Sequence, residues 1–130
     1  MHMIEVNIDG ASAGNPGPSG AGIFIKENGK ITTFSLPLGT MDNHSAEFTA
    51  CLKALEYCTG EMPDIVWLRS DSQAVIHAIE KRFVRHSEYK PILAAILEEI
   101  DKLDLFFCKW IPSKENKAAD ELARKAIHLN

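Results

Sequence analysis

What most limits the folds open to this 130-residue chain is a change of hydrophobic period along its length. From Met3 to Asp9 the residues alternate, with Ile4, Val6 and Ile8 on one side and Glu5, Asn7 and Asp9 on the other, the pattern of a half-buried strand. Two more extended runs, GIFIKENGK and ITTFSLPL, meet at Glu27–Lys30, where Asn28-Gly29 predicts a tight hairpin. The period then becomes helical: a helix capped by Asn43 or Ser45 runs to about Thr59, with Phe48, Cys51, Leu52, Leu55 and Cys58 on one face. IVWLRS at 65–70 reads as a buried strand. A second helix carries Val75, Ala78, Ile79 and Phe83, and Pro91 starts a third. LFFCKWI at 105–111 reads as a fifth strand, before a last helix bearing Ala119, Leu122, Ala123, Ala126 and Ile127. The order βββ, α, β, α, α, β, α predicts a mixed sheet with a parallel part and helices packed on its faces.

This length suits one domain, residues 1–130, able to bury a real core, and no repeat, low-complexity tract or linker divides it. Cys51, Cys58 and Cys108 form no C-x-x-C pair, so zinc clusters and disulfide frameworks are disfavoured, and the thiols read as small buried hydrophobes. The start, MHMIEVNIDG, lacks the basic and apolar segments of a leader, and no apolar run approaches the roughly 18 residues of a membrane span. A soluble cytoplasmic protein is expected. The formal charge of −4 argues at first sight against a nucleic-acid partner.

The loop GASAGNPGPSG invites a phosphate-binding reading, but Gly20 leads through Ala21 and Gly22 into a strand. Neither Gly-Lys-Ser/Thr nor G-x-G-x-x-G opens a helix there. By spacing alone it is a wide turn in which Gly14, Gly17 and Gly20 relieve backbone crowding.

Four acids sit where acids are out of place. Asp9 ends the first strand, Glu47 lies beside the stripe Ala50, Cys51, Ala54, Asp71 ends IVWLRS, and Asp120 abuts the apolar face of the last helix. Strand-end acids can meet at the carboxyl edge of a parallel sheet. Several buried like charges need compensation, and Mg²⁺ with its preference for oxygen ligands is the natural choice. Taken singly, each acid also reads as a solvated charge, and Asp71 as the N-cap of the helix that follows.

IDGASAGNPGPSGAG at 8–22, NHSAEFTACLKALE around Glu47, RSDSQAVIHAI around Asp71 and ENKAADELARKA around Asp120 together resemble the type 1 ribonuclease H family, in particular its short bacterial members. The resemblance implies a ribonuclease H-like α/β fold: a five-stranded mixed sheet, three antiparallel strands then two parallel, with helices on both faces. It implies a metal-dependent hydrolase that cuts the RNA strand of RNA–DNA hybrids with two Mg²⁺ ions, for which Mn²⁺ can substitute. Asp9, Glu47, Asp71 and Asp120 would be the catalytic metal ligands. Asn15, Asn43, Gln73 and Asn116 match positions that contact the hybrid, although each also reads as a loop, cap or surface residue. The implied partner is RNA–DNA hybrid, engaged by a monomer away from membranes.

The chain departs from the fuller family pattern at three places: IPSKEN lacks the loop His, the long basic insertion is reduced to KRFVRHSEYK at 81–90, and Asp42 stands where a Thr is common. Hydrolysis with weaker hybrid binding is expected. A nucleic-acid-binding module without catalysis, or a nuclease of related fold acting on branched DNA, are the competing readings. The charge also divides unevenly: residues 1–80 carry 4 basic and 10 acidic side chains, whereas residues 81–130 carry 10 and 8. The acidity is thus concentrated with three of the four candidate ligands, while 81–90 offers a local basic patch.

Overall fold

The computed structural model describes residues 1–130. Its strands are β1 (Met3–Ser12), β2 (Gly17–Glu27), β3 (Lys30–Met41), β4 (Ile65–Ser70) and β5 (Leu105–Trp110). Its helices are α1 (Asn43–Gly60), α2 (Gln73–Lys81), α3 (Lys90–Ile100) and α4 (Lys117–Ile127), with short 3₁₀ turns at Ser87–Tyr89 and Ser113–Glu115. The sheet order is β3-β2-β1-β4-β5: β1 pairs antiparallel with β2 and β2 with β3, whereas β1–β4 and β4–β5 are parallel. This is the mixed sheet that the change of period predicts. Asn28 and Gly29 both take positive φ, 52° and 74°, as a two-residue turn matched to strand twist requires.

The inner face of the sheet carries Ile4, Val6, Ile8, Ile23, Ile25, Val66 and Leu68. These residues pack against Phe48, Cys51, Leu55 and Cys58 of α1, Val75 and Ile79 of α2, and Leu93 and Ile96 of α3. Helix α4 lies on the opposite face, over β1–β3, through its buried Ala119, Ala123 and Ala126. The Ser35 hydroxyl fastens it by donating to the Leu122 carbonyl at 2.8 Å. No helix is long and apolar enough to cross a membrane.

Several local expectations are corrected. The glycine loop is short, because β1 extends to Ser12 and β2 already begins at Gly17; Gly20 lies within β2, where an added Cβ would press on Ala126 of α4. Neither Asn43 nor Ser45 caps α1: Asp42 does, accepting from the Ser45 N–H at 2.8 Å and the Ser45 hydroxyl at 2.7 Å. Arg82 turns left-handed (φ 53°) and ends α2 at Lys81, which leaves Phe83 outside the helix and 60% exposed. Strand β4 is buried on one face only, since no helix covers the outer side of β4 and β5; Trp67 is 39% and Phe107 53% exposed.

Candidate active site

The parallel pairing of β1 with β4 brings Ile8 opposite Ser70, so Asp9 and Asp71 leave adjacent strand ends side by side. Asp71 is free for this because Ser72 caps α2, its hydroxyl accepting from the Val75 N–H at 3.2 Å. The Trp110 indole N–H donates to the Asp71 carbonyl at 3.1 Å and steadies that strand end. Two glycines admit the helix-borne acids. A Cβ on Gly10 would collide with the backbone of Ala46 and Glu47, and one on Gly22 with the Ala119 carbonyl and the Ala123 N–H. Their absence lets α1 set Glu47, and α4 set Asp120, against the ends of the strands.

The four carboxylates line one open cleft of about 470 Å³, together with Asn43, Ser113 and Arg124. Burial, then the neighbouring Asp71, a hydrogen bond shared with Asp120 and the charge of Glu47 push the Asp9 carboxyl up from 3.8 to about 8. Burial also raises Glu47, partly offset by the His44 ring, whose Nδ1 lies 3.0 Å from Glu47 Oε1. Asp120 is paired with Arg124 at 3.0 Å between Oδ2 and Nε. Asp42 is a different case: burial would raise it, but hydrogen bonds from Ser45 N–H, the Ser45 hydroxyl and the Tyr89 hydroxyl bring it below the usual range.

This donor set is all oxygen, with no thiol or imidazole among the lining residues. It fits a hard divalent cation, and positive charge is what a carboxyl in the position of Asp9 needs in order to ionise near neutral pH. No three carboxylate, imidazole or thiol groups are gathered tightly enough to hold an ion unaided.

The other candidate residues part company. Asn15 accepts the Asn43 N–H at 3.0 Å, tying the glycine loop to the start of α1 beside the cleft. Gln73 stands exposed at the start of α2, outside the lining. Asn116 is 1% exposed and donates to the Ile8 carbonyl at 2.8 Å, so it anchors β1 to the start of α4, where it holds the N-cap position without a side-chain capping bond. Arg124, the one cation lining the cleft, is a residue that sequence reasoning missed, although its place four residues after Asp120 on one helix face was a usable signal.

A family profile described as reverse transcriptase-like matches residues 7–126. EbsB of Enterococcus faecalis, which carries a provisional hydrolase assignment, is 36% identical over 127 residues, covering 96% of this chain and 94% of EbsB. Ribonuclease H of Aliivibrio salmonicida is 33% identical over 141 residues, covering 97% of this chain and 88% of that protein. LC11-RNase H1, solved in complex with RNA/DNA hybrid, superposes with a TM-score of 0.87 at 28% identity over 96% of each chain. With the strand order, the two helix-borne acids and these relatives in agreement, the chain belongs to the type 1 ribonuclease H family.

Proposed function

We propose that this protein hydrolyses the RNA strand of RNA–DNA hybrids with divalent cations, Mg²⁺ foremost, held as a pair by Asp9, Glu47, Asp71 and Asp120. The observation that carries the reading is the meeting of four carboxylates from β1, α1, β4 and α4 in one cleft, with Asp9 raised to about 8 by its own surroundings. A structural cluster with no cation to hold would leave that cost uncompensated. Ribonuclease H of Aliivibrio salmonicida by name, and LC11-RNase H1 by its hybrid-bound structure, support the substrate class. Bound in the cleft, the cations would supply an activated water and charge neutralisation at the scissile phosphate.

The chain's own groups do the rest. Asn43, on the cleft wall and braced by Asn15, would hydrogen-bond a 2′-hydroxyl, the group that separates RNA from DNA. Arg124 offers its guanidinium to a backbone phosphate once its hold on Asp120 is shared with bound cations. The loop at 111–116 brings Ser113, and no imidazole, to the cleft wall.

A labelled hybrid incubated with Mg²⁺ or Mn²⁺ tests the proposal. Cutting confined to the RNA strand, stopped by EDTA and absent in Asp71→Asn, is the expected result. Hybrid binding without cleavage, persisting in Asp71→Asn, would instead favour a binding module on the same fold. Cleavage of junction or duplex DNA in preference to hybrid would move the protein to another nuclease class.

A further inference from the structure

The outer face of β4 and β5 has no helix over it, and what it displays is ordered in rows. Alternation along the strands points Ile65, Trp67 and Arg69 of β4, with Leu105, Phe107 and Lys109 of β5, away from the core. Trp67 is the direct neighbour of Phe107 and Arg69 that of Lys109, one strand period (roughly 6.6 Å) further along. Asp71 of the carboxylate cleft follows two residues after Arg69 on the same chain. An aromatic pair, a cationic pair and the cleft thus succeed one another across one continuous surface. The aromatic row borders a shallow depression of about 460 Å³ floored by Met3, Ile65 and Trp67.

The cations on this face differ: Lys109 is exposed, and Arg69 is half-buried between two acids. Lys109 has no carboxylate within ion-pair distance, whereas Arg69 lies 3.9 Å from both Glu5 and Glu115, at the limit of an ion pair. Glu5, the acid beside Trp67, is also 3.8 Å from Lys26. A purely apolar face would suit another protein surface. Exposed aromatic rings backed by a row of free or loosely held cations suit bases that stack and phosphates that follow them.

We propose that this face binds single-stranded nucleic acid, as a platform for an unpaired extension of the strand lying in the cleft. Bases stack on Trp67 and Phe107, and the backbone follows Arg69 and Lys109 towards Asp71. The extension's link to the cleft rests on the hydrolase reading; the platform itself does not.

The test therefore begins without metal. Native protein in EDTA at low salt is titrated into fluorescently labelled 12-mers of uridylate and of deoxyuridylate, with anisotropy as the readout. Both should bind, a preference between them showing whether the 2′-hydroxyl contributes. Trp67→Ala with Phe107→Ala should weaken binding at least about tenfold. Lys109→Gln should weaken it about threefold and flatten its salt dependence. Circular dichroism and thermal melts check that these surface variants are folded. A second measurement compares KM for a blunt hybrid with KM for one carrying a single-stranded RNA extension. The native protein should favour the extended substrate, and the double variant should lose that preference.

Absence of single-strand binding by the native protein, or binding that the double substitution leaves untouched, would overturn the platform. So would a native dimer in sedimentation that the double substitution dissolves, since the face would then belong to a second copy. If single-strand binding behaves as expected but no hybrid is cut, the platform stands and the hydrolase reading alone falls.

Discussion

Replacing Asp9 by Asn should make the metal-free protein more stable at pH 8 while removing its activity. Asp9 is held at about 8 in the folded protein against 3.8 as its ordinary value, so the folded state favours the protonated carboxyl. The stabilisation that comes with that proton is complete below about pH 4 and is lost as pH rises towards 8. A displacement from 3.8 to about 8 is worth on the order of 5 kcal/mol. Water entering the open cleft screens part of the repulsion, and we expect about 2–3 kcal/mol to appear. For a domain of this size that is a Tm difference of roughly 10 °C. Melting curves of native protein and Asp9→Asn in EDTA from pH 4 to pH 8 measure the effect, because groups remote from Asp9 cancel in the difference and what remains belongs to Asp9 and the acids it repels, Asp71, Asp120 and Glu47. The two should melt together near pH 4 and separate as pH rises, with the variant the more stable. Adding Mg²⁺ at ten times its Kd should return about 1.4 kcal/mol to the native protein and close part of the gap. A difference independent of pH, or a variant less stable than native at pH 8 in EDTA, would refute the reasoning.

Arg124→Gln should reduce hybrid cleavage by about 10- to 100-fold, the range for losing a charge-assisted hydrogen bond, with the loss mainly in KM and a shallower salt dependence. Gly22→Ala should cost at least about 2 kcal/mol, because the new methyl would meet the Ala119 carbonyl of α4. Its activity should fall further than its stability, as Asp120 shifts with the helix. Asp42→Ala should cost about 1 kcal/mol through loss of the α1 cap, or about 3–5 °C in Tm at pH 6. Because the folded protein holds Asp42 below its ordinary 3.8, that penalty should be complete above pH 4 and fade as pH falls further, which melts between pH 2 and pH 6 would show.

The parts legible in the sequence are those fixed by local periodicity. Alternation from Met3 to Asp9, the Asn28-Gly29 turn and the apolar stripes of the helices suffice for the order of elements, and the four acids were marked as misplaced against those same patterns. What escaped depends on which faces are covered. IVWLRS and LFFCKWI are apolar on both sides, the pattern of a strand buried twice over, yet α4 reaches only β1–β3 and leaves Trp67 and Phe107 to solvent. Caps shifted by one to three residues because Asp42 and Ser72, not the neighbouring Asn43 and Asp71, bond the first free N–H groups. Asn116 sits in a segment that resembles the family around Asp120, but only the packed structure shows it turned inward to the Ile8 carbonyl. The glycine loop follows the same rule: Gly20, which reads as part of a turn, makes room for helix residues more than a hundred positions away in the chain.

Gly10 and Gly22 act as a gauge for the cleft. Each marks a place where a helix backbone rests directly on a strand, with no side chain between them to change rotamer. Backbone against backbone is a stiff stop, so the separation between the strand acids and the helix acids is set by the fold before any cation arrives. Folding therefore fixes the bore of the site, and cations need only supply charge. Sequence drift elsewhere on α1 and α4 can alter how firmly the helices are held without altering how far apart their carboxylates stand. A single methyl at either glycine would change the bore itself, which makes these two residues, neither of them bearing a side chain, as decisive for the chemistry as the acids they admit.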